Sequence, residues 1–189
     1  MTKDKSKAGT DLFFVALIPP AAIVAEVTAI KEEMAARYDS SHALKSPPHI
    51  TLHMPFKWRV DRLAQLEAGM TKAAEGRQPL EIGLRDFACF APRVIYVDVA
   101  LSDALHTLRR EVVRTMRREL KLLNADYKDL PFHPHMTVAF RDLSKVRFAE
   151  AWEDFAQRSY RADFTVDSLC LLRHTGQHWE RWRDFPFPV

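Results

Sequence analysis

One four-residue phrase occurs twice in this chain, at matching points of a repeated order of secondary-structure signals. The copies are Pro48-His49-Ile50-Thr51 and Pro134-His135-Met136-Thr137. Each comes after a strand signal, an amphipathic helix signal and a loop ending in proline; each precedes a helix signal and a further strand. From Phe13 to His49 is 36 positions and from Tyr96 to His135 is 39, so the two halves run in near register. A chain built of two such units is expected to fold as an α+β, bilobal, duplicated β-α-β-α-β structure. A pseudo-twofold axis relates its halves, antiparallel-rich sheets surround a central cleft, and helices lie outside.

The elements are set by local pattern. Residues 1–10, with three lysines, read as a disordered tail, and Phe13 to Ile18 as a buried strand. Pro19 and Pro20 then interrupt an apolar run that would otherwise resemble a signal segment, and Glu26 and Lys31 place charges beyond the two prolines. Ile23, Val27, Ile30 and Met34 repeat at helical spacing over Ala21 to Tyr38. "HITLHM" predicts a strand, Asp61 to Ala74 a helix with Asp61 as its N-cap, and "LEIGLRDFACF" a half-buried strand. In the second half, "VIYVDVA" and "HMTVAF" predict strands, with a helix from Ser102 to about Leu123 between them. Lys145 to Gln157 comes next as a helix, "FTVDSLCLL" as one strand, and "HWERWRDFPF" as an edge or hairpin segment. No Gly- or Ser-rich linker separates the halves, and five glycines serve the whole chain. The expectation is therefore one bilobal domain over residues 11–189, with lobes at roughly 11–93 and 94–189.

Composition narrows the function classes. At 189 residues, 47% hydrophobic and 28% charged, the chain has enough apolar material for one core, which excludes a disordered or fibrous protein. A formal charge of +3 permits an anionic substrate without requiring one. Cys89 and Cys170 stand far apart, so no disulfide framework or thiolate metal site can be read, and a reducing cytoplasm is the default. No stretch reads as a membrane span, and a monomer is expected.

Residues two apart on a strand point the same way, so His49 shares a face with Thr51 and His135 with Thr137. If a twofold axis brings the strands together, two imidazoles and two hydroxyls converge on one group. A phosphate or phosphodiester suits them: hydroxyls donate to phosphate oxygens, and imidazoles titrating near neutrality serve as paired acid and base. No metal or other cofactor is needed for that chemistry. His53 and His133 share faces with His49 and His135 and raise a metal reading. Four strand residues span about 13 Å, however, so His49 and His53 cannot hold one ion, and no nearby carboxylate completes a set with His133 and His135. His42, His106, His174 and His178 read as structural. The basic run "LRREVVRTMRRELK" reads as a solvated helix face, while Trp179, Trp182 and Phe185 divide between base stacking and core filling.

The paired "HITL" and "HMTV", with the opening "FFVAL", the "PHITL" around the first histidine and the "PFHPHMTVA" around the second, resemble the 2H phosphoesterase superfamily. That superfamily includes 2′-5′ RNA ligase-like proteins and 2′,3′-cyclic phosphodiesterases, and the likeness runs from Phe13 to Phe187. The resemblance implies that His49 and His135 are catalytic and that Thr51 and Thr137 bind phosphate. It implies that His135 activates water, that His49 protonates the departing 3′ oxygen, and that a 2′-phosphate is left. A 5′-hydroxyl as nucleophile would instead form a 2′-5′ linkage. The expected partner is an RNA terminus or nucleotide phosphodiester. Val138 and Phe140 depart from the RNA-ligase-like pattern, with Arg141 one position late, so the subfamily and its substrate stay open. Arg141 and Arg173 come after strands and are candidates for reaching the cleft. RNA 3′-end trimming by the same residues and nucleotide binding with little turnover are the competing readings.

Overall fold

The computed structural model describes residues 9–125 and 131–188, and these form eight strands in two sheets and four α-helices. Their order is β1 (Thr10–Leu17), α1 (Ala21–Tyr38), β2 (Ile50–Arg59), α2 (Leu63–Ala74), β3 (Leu80–Phe90) and β4 (Val94–Val99). Then come α3 (Asp103–Leu120), β5 (His135–Ala139), α4 (Lys145–Phe155), β6 (Arg161–Val166), β7 (Ser168–His174) and β8 (Trp179–Pro186). The expected tail falls mostly on residues 1–8, outside the described residues. Thr10 itself opens β1, opposite Arg59.

Both sheets are antiparallel, with orders β2-β1-β7-β8 and β5-β4-β3-β6. Each strand bearing the repeated phrase thus lies at the edge of its sheet, next to the first strand of its own half. The sheets do not coincide with the chain halves drawn at 93/94. β3 joins the second sheet because only Ala91, Pro92 and Arg93 separate it from β4, a connection short enough to force a hairpin. "FTVDSLCLL" is two strands rather than one: the chain leaves the second sheet after Val166, turns at Asp167 and enters the first sheet at Ser168. The Asp167 carbonyl accepts the Phe187 amide at 2.7 Å, which ties this crossover to the end of β8.

Helix ends are fixed by their caps. Ser102 and Ser144 accept the Leu105 and Arg147 amides at 3.1 and 3.2 Å and open α3 and α4. α3 stops at Leu120, short of the expected Leu123, because Lys121 takes the left-handed conformation with φ of 59°. α4 likewise ends at Phe155, before Gln157. Asp61 does not cap α2: its carboxylate is held by Arg59 at 2.9 and 2.6 Å, and a 3-10 turn at Val60–Arg62 precedes the helix.

The main apolar core lies between the sheets and helices, built from Phe13, Val15 and Leu17 of β1, Ile50 and Leu52 of β2, and their counterparts in the second half. Helix packing crosses the halves: α1 lies on β5 and α4, whereas α3 lies on β2 and α2. Arg158 reinforces the α1–α4 contact, reaching Glu33 at 2.7 and 2.8 Å and Asp154 at 2.7 and 3.0 Å. Tyr38 also donates to Asp154 at 2.8 Å, and these partners hold the Asp154 carboxyl down at about 2. Among the described residues, no helix is long and apolar enough to cross a membrane.

The α2–α3 contact closes over Gly69, where an added Cβ would come within 2.8 Å of the Leu120 side chain. Gly69→Val is expected to cost about 1–3 kcal/mol by overpacking. A urea midpoint no lower than that of the wild type would contradict this packing.

Candidate active site

Core burial on β2 and β5 dictates where their polar residues point. Ile50 and Leu52 face the core from β2, as do Met136 and Val138 from β5, so His49, Thr51, His135 and Thr137 point to the other face. There Thr51 lies opposite Ala16, Thr137 opposite Tyr96, and His135 opposite Asp98. The two edge strands also approach each other. The charge of His135 is among those that disfavour a proton on His49.

Each imidazole is held in the same way. Nδ1 of His49 lies 2.7 Å from the Pro47 carbonyl oxygen, and Nδ1 of His135 lies 2.8 Å from the His133 carbonyl oxygen. A carbonyl only accepts, so both Nδ1 atoms carry their protons and donate them backwards by two residues. Nε2 is then left as the working nitrogen of each ring, and the repeated phrase defines one tautomer twice. The proline after the accepting carbonyl in the first copy, and between the two histidines in the second, keeps that segment extended.

Aromatic walls complete the rings' surroundings. Phe14 sits 4.8 Å from the His49 ring and 4.6 Å from Trp179, which in turn meets His174 at 4.9 Å. Phe14, Ala16, Cys170 and Leu172 form a small apolar cluster on this face of the first sheet. On the second sheet, Phe90 and Tyr96 flank His135 at 5.2 and 5.1 Å. Phe90 is 42% exposed beside that ring.

These settings act on the protons. Burial pushes His49 down to about 4, with the positive charges of Lys31 and His135 acting in the same direction and the Pro47 bond opposing. Burial also lowers His135, aided by the charge of His133. There the bond to the His133 carbonyl and the Asp98 carboxylate pull the other way.

Several expectations resolve differently once the register is known. A bulge in β2 leaves Leu52 without an opposite residue between Thr51 and His53. His53 therefore leaves the His49 face and lies fully buried, its ring 5.4 Å from Phe56 and its Nδ1 2.9 Å from the Met54 carbonyl oxygen. His133 stays beside His135, with the Tyr96 hydroxyl 3.0 Å and Asp98 Oδ1 3.4 Å from its Nε2. Among the described residues, no group of three or more His, Cys, Asp or Glu is arranged to hold a metal ion. Arg173 lies opposite Phe13, on the core side of β7, and pairs with Asp11 at 2.5 Å, away from His49. Arg141 comes just after β5 with φ of 61° and sits 3.5 Å from Nε2 of His42, beside the turn that leads to His49. Trp182 and Phe185 pack into the core, so Trp179 alone of that trio reaches the Phe14 surface.

Sequence reasoning missed three neighbours of the pair. Tyr96 and Asp98 are visible as alternating residues of a strand, yet nothing local pairs them with Thr137 and His135. Lys31 has a clearer signal: it occupies the buried stripe Val27-Lys31-Met34-Tyr38 of α1, a position otherwise filled by apolar residues.

The profile of the 2′-5′ RNA ligase superfamily matches residues 19–178. A protein of Geobacillus kaustophilus named "Putative phosphoesterase GK0864" is 30% identical over 138 residues, 72% of this chain and 75% of that one. Escherichia coli LigT, solved with 3′-AMP, superposes with a TM-score of 0.68 at 16% identity, over 96% of this chain and all of that one. TT0787 of Thermus thermophilus superposes at 0.61 and 16% identity, over 93% of this chain and 97% of that one. The mixed α/β fold with two antiparallel four-stranded sheets is thus the LigT-like fold. The chain belongs to the 2′-5′ RNA ligase superfamily, the 2H phosphoesterases.

Because the folded-state value of His49 lies below its unfolded one, the unfolded state binds more protons between pH 6.5 and 4. Stability is full above that window and falls as pH drops through it, with His49 alone contributing about 3 kcal/mol. Urea unfolding at pH 7.5 and 4.5 should show this loss, and His49→Gln should reduce it. An unchanged difference in the variant would contradict the burial of this ring.

Proposed function

We propose that the protein is a metal-independent phosphoesterase that hydrolyses 2′,3′-cyclic phosphates or related RNA and nucleotide phosphodiesters. The observation that carries this reading is the doubled imidazole geometry: two histidines on meeting edge strands, each with Nδ1 tied to a carbonyl and Nε2 left for chemistry. Membership of a superfamily of phosphoesterases supports it, as do LigT structures with 3′-AMP, ATP and phosphate.

In the proposed reaction the phosphate lies between the two half-sites. Thr51 and Thr137 donate hydrogen bonds to its non-bridging oxygens. Neutral His135 accepts a proton at Nε2 from a water whose oxygen attacks phosphorus. The P–O3′ bond breaks as His49, an imidazolium in the substrate complex, gives its Nε2 proton to O3′, leaving a 2′-phosphate and a free 3′-hydroxyl. At the end His135 holds a proton and His49 does not, so solvent exchange resets the pair. A 5′-hydroxyl in place of water would yield a 2′-5′ linkage by the same transfers.

Hydrolysis of 2′,3′-cyclic mononucleotides in EDTA is the test. His49→Ala and His135→Ala should each lower kcat by about 10²–10⁴-fold, and Thr51→Val should lower kcat/KM by about 10–100-fold. Loss of activity on chelation, or full activity in either histidine variant, would overturn the mechanism. An oligonucleotide with a free 3′ end, offered in parallel, separates cyclic-phosphate hydrolysis from 3′-end trimming. Tight nucleotide binding without product would point to a binding module.

A further inference from the structure

Lys31 is the one charged side chain in the buried stripe of α1, with only 1% of its surface exposed. Its Nζ donates to the carbonyl oxygens of Ala43 at 3.2 Å and Ser46 at 3.0 Å. Among the described residues no carboxylate pairs with it. An ammonium buried without a counter-ion is costly, and burial accordingly brings Lys31 down to about 8. The segment it holds runs directly into the site: Ser46 precedes Pro47, whose carbonyl fixes the His49 ring. The positive charges that bear on His49 come from α1, as Lys31, and from β5, as His135. His135 has Asp98 and His133 beside it, so the carboxylate of this cluster belongs to the other half-site. The two half-sites, alike in backbone and tautomer, therefore differ in charge.

We propose that Lys31 is a positioning residue of this site, holding the approach to His49 through the Ala43 and Ser46 carbonyls and giving the His49 half-site a positive charge that a bound anion offsets. This rests on His49 being the proton donor of the proposed reaction. A phosphate bound between His49 and His135 offsets their charges and that of the buried Lys31. His49 then takes up a proton from solvent at Nε2, and the donor becomes charged where a P–O bond is to be broken. Without an anion the ring stays neutral, and the mutual repulsion of two imidazolium groups is avoided.

The imidazole and lysine nitrogens can be followed directly by NMR in 15N-labelled protein, with His49→Gln and His135→Gln used for assignment. In the free protein His49 is expected to titrate well below an ordinary histidine, and saturating inorganic phosphate should raise it by at least about one pH unit. Lys31→Met, which removes the charge and keeps much of the volume, should raise the free-state value in the same direction and shrink the response to phosphate. An unchanged His49 titration in a folded Lys31→Met protein, or no response to phosphate in the wild type, would overturn the proposal. Should the variant not fold, the wild type decides alone: the His49 signal should show a second inflection near pH 8, where Lys31 loses its proton. A Lys31 that titrates with the surface lysines, or a His49 signal without that inflection, would refute it. None of these readouts depends on turnover, so they stand or fall separately from the cyclic-phosphate reading.

Discussion

The site depends on the meeting of two sheet edges. Unpaired strand edges are ordinarily exposed to solvent or covered by other elements. Here β2 and β5 end their sheets beside each other, and the first helix of each half, α1 or α3, lies on the other half's edge strand. One continuous apolar core spans both sheets, so separating the edges would expose Ile50, Leu52, Met136 and Val138 together. Burying such side chains is worth about 1.5–3 kcal/mol each, which makes the junction an outcome of core formation rather than of any polar contact at the site. The opposite faces of the same four residues' neighbours then carry the two histidines and two threonines.

Duplication solves the tautomer problem in the same way on both sides. A histidine free to choose between Nδ1 and Nε2 would present the working lone pair only part of the time. Donating Nδ1–H to the carbonyl two residues back removes that choice for His49 and His135. What the duplication leaves unequal is charge. The charge of Lys31 bears on one ring and that of Asp98 on the other. An acid and a base cannot be identical: in the free protein these charges disfavour a proton on His49, and in the proposed reaction that ring becomes the acid only once an anion is bound.

Much of this is legible from the residues. Periodicity gives the fold class and the repeated strand-helix order, and the paired phrases give the family. Alternation on strands gives the four proposed site residues, since Ile50 and Met136 can only point inward. The remainder depends on non-local contacts. "FTVDSLCLL" reads as one strand because both of its halves are buried, and only the turn at Asp167 reveals that they serve different sheets. Alternation puts His53 on the His49 face, but a bulge shifts the register by one residue, which alternation alone cannot detect. Arg173 comes after a buried strand, as a cleft residue would, yet its register opposite Phe13 puts it on the core side with Asp11. Lys31 sits in plain view in an apolar stripe, where a lysine normally marks the end of a buried face.

In the proposed reaction both half-sites address one phosphorus atom. A crystal structure with a nucleoside 2′-monophosphate bound tests it most directly. Phosphate oxygens are expected within hydrogen-bond reach of Nε2 of His49, Nε2 of His135 and the hydroxyls of Thr51 and Thr137 at once. A phosphate bound by one half-site while the other histidine points elsewhere would contradict it.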